Sequence, residues 1–306
     1  MITKRLIVTI FGGSGFIGSN LSTKLAKLNV KINIIQSTLN EHDYSVLYGF
    51  PGQISYFQFQ NNKNFYKKIF TNSDYIINLI GMLRESKNRT FYHTHVEIPK
   101  NIAYYASKFY AKKLIHISAL GIDRTYQMLS YAKTKLRGEN ELLKNFPNAT
   151  ILRPSVVFGA KDKFINNLLK LANFSSICPL INNGCILSQP IYVENLTDII
   201  TKILMANSTS FDGKVFEIGG PDKVTLLEIL NHIFKKLKKK PYYLPVNYKI
   251  MKLFSYLSKI ASNFPITPEV VTLLLVNNIV VKNNIAKMLD ITLQPISFYI
   301  NSRINS

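Results

Sequence analysis

The chain has 306 residues, 47% of them hydrophobic, which is enough for a full core in one large domain or two and too apolar for a disordered chain. A formal net charge of +21 and an isoelectric point near 9.8 point toward anionic partners, either nucleic acid or a membrane surface. The lysines are scattered among many asparagines and isoleucines without a nucleic-acid recognition motif, so nucleic acid is set aside while an anionic membrane surface stays in view. No stretch has the roughly 18–20 uninterrupted apolar residues that a span requires. Residues 1–5 run directly into the first apolar run, leaving no room for a signal or transit peptide. The expectation is a cytoplasmic chain, or one peripheral on the inner face of a cell or inner mitochondrial membrane. Cys178 and Cys185 form neither a metal pattern nor a disulfide framework and are expected as free thiols.

Residues 7–11 form an apolar, β-branched run. It breaks at Gly12-Gly13-Ser14-Gly15-Phe16-Ile17-Gly18 and continues as an amphipathic segment to about residue 28. This is a strand, a tight turn and a helix. Gly12 permits the sharp turn, Gly15 permits close approach of a pyrophosphate, and Gly18 lets the helix sit tight on the strand. The helix N-terminus offers N–H groups and a positive dipole end to phosphates, which makes Ser14, Phe16 and Ile17 contacts alongside the glycines.

Residues 30–35 read as strand two. Its end selects the cofactor: an acid there binds the ribose 2′-OH of NAD, an arginine the 2′-phosphate of NADP. Here stand Gln36-Ser37-Thr38, which are neither. The choice between NAD(H) and NADP(H) stays open, and the excess of lysine leans slightly toward NADP(H). Strand three (52–59) ends at Gln60, a helix follows at 63–70, and strand four (74–81) closes in the turn Leu79-Ile80-Gly81, beside the cofactor. A helix over 95–109 and a fifth strand over 113–118 complete a β-α-β-α-β rhythm. The fold class is α/β: a Rossmann-type doubly wound parallel sheet with helices on both faces. His116 reads as a core histidine among apolar neighbours. His93 and His95 flank a helix start without a third ligand, so no metal site is proposed.

Tyr131 and Lys135 are four residues apart and share a helix face. A lysine beside a phenol stabilises the phenolate, which suits proton transfer coupled to hydride transfer at a nicotinamide; the same lysine can hydrogen-bond a ribose.

With these motifs in place, the chain resembles the short-chain dehydrogenase/reductase superfamily in its extended, epimerase/dehydratase-like branch. The Gly12/Gly15/Gly18 turn, Asn78-Leu79-Ile80-Gly81, the Tyr131/Lys135 pair and residues 151–159 (ILRPSVVFG) carry that resemblance. Within the branch it is most similar to the family of the 39 kDa accessory subunit of respiratory complex I and its bacterial relatives, through residues 11–18, 116–121, 189–193 and 266–270. The resemblance implies a dinucleotide held by Gly12, Ser14, Gly15, Phe16, Ile17, Gly18, Gln36, Ser37, Gln60, Leu79, Ile80, Gly81, Tyr131, Lys135 and Pro154. It also implies catalysis, where present, by Tyr131 as acid/base, Lys135 as its tuner and Ser118 as hydrogen-bond donor. Active members carry two successive hydroxyl residues after strand five, the second catalytic, whereas this chain has Ser118-Ala119. Gln60-Asn61 replaces an adenine-reading acid after strand three, and Gln36 stands where the complex I relatives have a basic residue.

Strand six covers 150–157. Its Arg153 binds either an anionic substrate or a local carboxylate such as Asp162. A helix is expected over 195–207, a strand within 211–221, and a capping box at Thr225/Glu228. Lysines crowd residues 234–240 at a helix end. Residues 248–264 read as a basic amphipathic helix that packs on its own domain or lies in a membrane interface. The apolar run at 272–281 is too short to span. The domain reading is residues 1–160 as the dinucleotide-binding domain, its sheet completed by parts of 185–220, and 161–306 as a smaller, mostly helical region. The leading functional expectation is a cofactor-holding accessory or assembly protein of an NADH:ubiquinone oxidoreductase, or of quinone metabolism. The rival is an active NAD(P)-dependent reductase, epimerase or dehydratase. A third expectation is a regulator that reads NADPH.

Overall fold

The computed structural model describes residues 5–39, 49–86, 88–125, 127–256, 268–281 and 285–304. Apolar residues occupy consecutive strand positions because both faces of the sheet are covered. Seven strands, β1 (Leu6–Phe11), β2 (Val30–Gln36), β3 (Ile54–Gln58), β4 (Tyr75–Asn78), β5 (Lys113–Ile117), β6 (Thr150–Pro154) and β7 (Val215–Ile218), pair in the order β7-β6-β5-β4-β1-β2-β3. Every pairing is parallel. Ile10 of β1 lies in register with Ile34 of β2 and Ile77 of β4. The strand order reverses between β1 and β4, and ligands of open α/β sheets bind in the crevice at such a switch point.

Helices α1 (Phe16–Ala26), α2 (Lys63–Phe70), α3 (Ile98–Lys108), α4 (Ser130–Asn145) and α5 (Val193–Met205) flank the sheet. One face packs Ile10, Ile34, Ile77 and Ile115 against Leu21 and Leu25 of α1 and Ile199, Ile200 and Ile203 of α5. The other packs Phe11, Ile35, Ile76 and Leu114 against Tyr66, Ile102, Ala106 and Leu142 from α2, α3 and α4. Neighbours along each strand therefore serve opposite cores. Gln53 fastens the rim below: its Nε2 donates to the carbonyls of Ala26, Leu28 and Val30 within 3.0 Å, and its Oε1 accepts from Phe50 N–H at 2.9 Å.

The element bounds depart from expectation where side chains intervene. β4 stops at Asn78 because its Oδ1 accepts from Ile80 N–H at 3.0 Å and turns the chain. The expected strand 150–157 is two pieces: β6 ends at Pro154, and Val157–Phe158 pairs instead with Ile191–Tyr192. The helix expected from residue 95 begins with a π-helical turn, His93–Glu97. There the His95 carbonyl meets Gly138 of α4 so closely that a Cβ on Gly138 would lie 1.7 Å from the oxygen.

Beyond β6, helices Phe164–Phe174, Leu226–Lys236 and Ile296–Ile304 bury Ile165, Ala172, Ile229, Ile233, Phe234 and Ile300 in a cluster of their own with Phe158 and Leu180. The capping box is formed: Thr225 Oγ1 accepts from Glu228 N–H at 3.1 Å, and Thr225 N–H donates to Glu228 Oε2 at 2.7 Å. A parallel ladder of Ile177–Ile181 with Tyr242–Val246 was not expected. The basic amphipathic helix is present as Tyr248–Ser255; its expected continuation over 257–264 lies outside the described residues. Over the described part Ile250, Leu253 and Phe254 are exposed while Ser255 is buried. Cys178 is buried, Cys185 is exposed, and both are free. Among the described residues no helix is long and apolar enough to cross a membrane.

Gly138→Ala is expected to force α4 away from the π-helical turn, costing about 3 kcal/mol as an overpacked contact between backbones. Chemical denaturation followed by far-UV circular dichroism measures it.

Candidate dinucleotide site

The turn after β1 is built from backbone approaching backbone. Gly12 adopts φ +79°, the left-handed region that glycine tolerates, and its N–H donates to the Ile35 carbonyl at 2.9 Å. A Cβ on Gly12 would come 3.3 Å from the Leu79 carbonyl carbon, and one on Gly18 only 2.3 Å from the Gly12 oxygen. Gly18 thus seats α1 on the turn itself, on Gly12 and Gly13, rather than on the strand as expected. Gly15 caps the helix without a side-chain hydrogen bond, and a Cβ there would lie 3.2 Å from the Gly12 oxygen. The N–H groups of Phe16, Ile17 and Gly18 have no intrahelical acceptor and point out of the helix start. Phe16 and Ile17 are half-buried, and Ser14 sits half-buried on the turn.

The other candidates lie along the same C-terminal edge of the sheet. Leu79 and Ile80 border Gly12, and Gly81 borders Lys135, whose Nζ would be 3.4 Å from a Cβ there. Lys135 Nζ donates to the Ile117 carbonyl at 3.1 Å, one residue before Ser118. Gln36 pairs with Gln58 across β2 and β3, and its carbonyl accepts at 2.7 Å from the N–H of Phe59, one residue before Gln60. Gln36 is buried, while Ser37 and Gln60 are exposed. Pro154 lies buried where β6 leaves the sheet, its carbonyl accepting from Leu120 N–H at 2.9 Å. Two polar side-chain atoms on this edge, Gln36 Oε1 and Ser118 Oγ, are buried without a hydrogen-bond partner. A polar ligand at this edge would satisfy them.

The Tyr131/Lys135 pair is present on one face of α4 and both residues are buried, but their expected electrostatics are not realised. Burial pushes the Tyr131 phenol well above its usual range, and Lys135 does not lower it. The Lys135 ammonium is directed to the Ile117 carbonyl instead. Burial lowers the Lys135 amine to about 8, against an opposing pull from Glu139. The Tyr131 ring is held by aromatic packing. It meets His95 edge to face at 5.3 Å and Phe91 at 5.9 Å, while Phe91 stacks on His95 at 5.4 Å. Ala119 and Leu273 pack against this cluster, together with Met82.

A glycine cradle at a switch point, unpartnered polar atoms on its rim and a buried Tyr/Lys helix face describe a nucleotide-binding edge. Consistent with that geometry, the sequence profile of the NAD dependent epimerase/dehydratase family matches residues 8–219. The chain belongs to this family. The mitochondrial NADH dehydrogenase (ubiquinone) 1 alpha subcomplex subunit 9 of Arabidopsis thaliana is 27% identical over 303 residues, which is 95% of this chain and 74% of that protein. The Mus musculus protein of the same name is 28% identical over 269 residues, 86% of this chain and 69% of its own. Among solved structures, MoeE5 in complex with UDP-glucose and NAD superposes with a TM-score of 0.72 at 14% identity, covering 97% of each chain. That likeness shows the fold. The family and fold are those of a nicotinamide-dinucleotide binder, and the turn and rim of this chain fit such a group.

Within this epimerase/dehydratase chain, several side-chain partnerships near the edge escaped the sequence reading. Arg153 takes the local-carboxylate alternative, with Glu139 and Asp123 rather than Asp162. Its Nε and Nη2 hold both carboxylate oxygens of Glu139 at 3.0 and 2.6 Å, and its Nη1 holds Asp123 at 2.8 Å. Asp162 instead accepts from the backbone of Gly159 and Ile165 and from the Asn166 side chain. No local spacing links Arg153 to Glu139. Asn278 ties the strand exits together, bonding Ser155 Oγ at 2.5 Å, the Leu120 carbonyl at 3.2 Å and Gln189 N–H at 3.0 Å. His116 is the expected core histidine: its Nδ1 accepts from Asn78 Nδ2 at 3.1 Å. His95, passed over as a ligand, accepts from Met82 N–H at 3.2 Å through Nε2, and its Nδ1 faces Thr134 Oγ1 at 3.1 Å. Thr134 spends its own proton on backbone carbonyls, so Nδ1–H is the donor. Among the described residues no group of three metal-ligating side chains occurs.

Burial and the nearby Lys135 lower His95 to about 3 and His116 well below the ordinary histidine value. Both stay neutral in the folded chain and take up protons in the unfolded chain below about pH 6.5. Folding stability is therefore expected to fall as pH drops from about 6.5 toward 5, by up to roughly 1.4 kcal/mol per pH unit for each histidine. Urea titrations at pH 7 and 5.5 measure this loss, and His95→Gln should remove about half of it.

Proposed function

We propose that the chain holds a nicotinamide dinucleotide as a fixed group and serves as an accessory subunit of an NADH:ubiquinone oxidoreductase, without turning the cofactor over. The observation that carries the reading is the surroundings of Tyr131. Where a catalytic hydroxyl is expected stands Ala119, packed with Leu273 into the apolar cluster around the tyrosine ring. A general acid works best with a pKa near the operating pH, and burial drives this phenol the other way. The names of the similar mitochondrial proteins support the placement in an oxidoreductase complex. When bound, the dinucleotide would bring hydride chemistry. The chain's own residues would grip its phosphates at the α1 start, take its ribose hydroxyls on Gln36 and Lys135, and lay it along Leu79-Ile80-Gly81.

The finer reading is NADP(H). No carboxylate stands at Gln36-Ser37-Thr38 to repel a 2′-phosphate, and the exposed Ser37 and Thr38 hydroxyls can donate to one. A second reading, an active reductase, epimerase or dehydratase, rests on Lys135, whose lowered amine sits on the same helix face as Tyr131. Under that reading Tyr131→Phe abolishes turnover of some substrate. Under ours the wild-type chain turns over none, and Tyr131→Phe leaves dinucleotide affinity unchanged.

The decisive measurement is native mass spectrometry of the freshly purified chain, which should show bound NADP(H). Gly15→Asp supplies the control. Aspartate is a favoured N-cap, so α1 should persist, yet its carboxylate would stand where the pyrophosphate approaches. Cofactor affinity is expected to drop by about a hundredfold or more with an unchanged far-UV spectrum. Absence of any bound dinucleotide, or equal affinity in the variant, overturns the reading. Purification from native membranes should also bring down respiratory oxidoreductase subunits.

A further inference from the structure

We propose that the outer face of the Ile177–Ile181/Tyr242–Val246 ladder, with the end of helix Phe164–Phe174, is a docking surface for an anionic lipid bilayer. The proposal is independent of the cofactor reading. The ladder has an inner and an outer face. Cys178 and Leu180 point into the C-terminal cluster. Ile177 and Tyr242 are register partners on the opposite face, 56% and 65% exposed, and Leu244, beside Pro179, is 46% exposed. Phe174, the last residue of its helix, is 92% exposed. A phenylalanine that far out of its own fold protrudes, and a protruding ring suits insertion among lipid headgroups better than a lock into a protein groove.

The patch is held in shape. Tyr242 N–H donates to the Ser176 carbonyl at 2.7 Å, and Lys239 Nζ donates to the carbonyls of Ala172 and Asn173 at 3.0 and 2.6 Å. The lysine-rich helix end is thereby tied to the base of Phe174. Charge decides the partner. The two segments that build the surface, residues 163–193 and 229–256, contain nine lysines and no aspartate or glutamate. Lys170 lies one turn before Phe174 on the same side of its helix, and Lys235, Lys236, Lys238 and Lys240 are exposed beside the ladder. Two residues after the ladder, helix Tyr248–Ser255 exposes Ile250, Leu253 and Phe254 and carries Lys249 and Lys252 among them. Apolar tips surrounded by lysines, whose stems lie along apolar surface while the ammonium groups reach phosphate, match an anionic interface.

Co-sedimentation of the full chain with phosphatidylcholine vesicles, with and without phosphatidylglycerol, tests the proposal. Binding should be strong only with phosphatidylglycerol and weaken with added salt. Phe174→Ser combined with Tyr242→Ser should reduce it at least tenfold while the thermal midpoint is unchanged, because both side chains are exposed. Lys238→Glu with Lys240→Glu should reduce it similarly. Equal binding to both vesicle types overturns the proposal, as does absence of binding to either, which leaves an acidic protein as the partner. Wild-type binding by the Phe174/Tyr242 variant also overturns it, since adsorption would then be by charge alone.

Discussion

The contact between Gly18 and the carbonyl of Gly12 is the constraint on which the rest of the site depends. Their approach leaves no space for a side chain at Gly18, and it presses the first turn of α1 onto the loop that leaves β1. Gly12 in turn abuts the Leu79–Ile80 backbone, so the turn is closed from both sides of the switch point, by β1 and by β4. Three backbone segments meet with almost no side chain between them. The free N–H groups at the α1 start are consequently fixed in direction by covalent geometry and packing, not by flexible side chains. A site made this way binds a large anion without giving up side-chain entropy.

The glycine turn was legible in the sequence because it is local, although the backbone that Gly18 meets was expected to be the strand and is the turn. Glycines three residues apart at a strand-to-helix junction carry their geometry with them, as do the β-branched runs and the Thr225/Glu228 box. The alternation of β1, with Ile10 serving one core and Phe11 the other, could be expected once a doubly covered parallel sheet was inferred. The misses are long-range. Arg153 finds Glu139 and Asp123, Asn278 finds Ser155 and Leu120, and Tyr242 finds Ile177. Each pairing depends on where α4 or the C-terminal segment comes to lie, and nothing in the spacing of these residues encodes it. The π-helical turn at His93–Glu97 escaped for a related reason: its extra residue is stabilised by tertiary contact of the His95 carbonyl with Gly138, not by helix propensity.

Electrostatics around the pair on α4 follow from the same tertiary placement. Glu139 lies one turn beyond Lys135 and would be its natural counter-ion, but both of its oxygens are held by Arg153. Lys135 is left to a backbone carbonyl in a buried setting, and its lowered amine reflects that environment. The same buried cation disfavours protonation of His95 and His116. Each histidine is thereby kept as a neutral acceptor, one for Met82 N–H and the other for Asn78 Nδ2, and both bonds brace the turn beyond β4 that borders the glycine cradle.

A tyrosine and a lysine on one helix face therefore carry less chemical meaning than their spacing suggests. In this chain the tyrosine ring is oriented by His95, Phe91 and the apolar cluster, and the lysine is anchored to β5. Both anchors would hold without any proton transfer, because neither uses the phenol oxygen. Lys135 has three donors and spends one on Ile117, so a ribose hydroxyl can still be taken. Packing alone is a sufficient reason for the pair to stand where it does. Under the proposed reading, the place of a substrate-polarising hydroxyl is taken by the methyl group of Ala119, which packs with Leu273 against the cluster around the tyrosine ring.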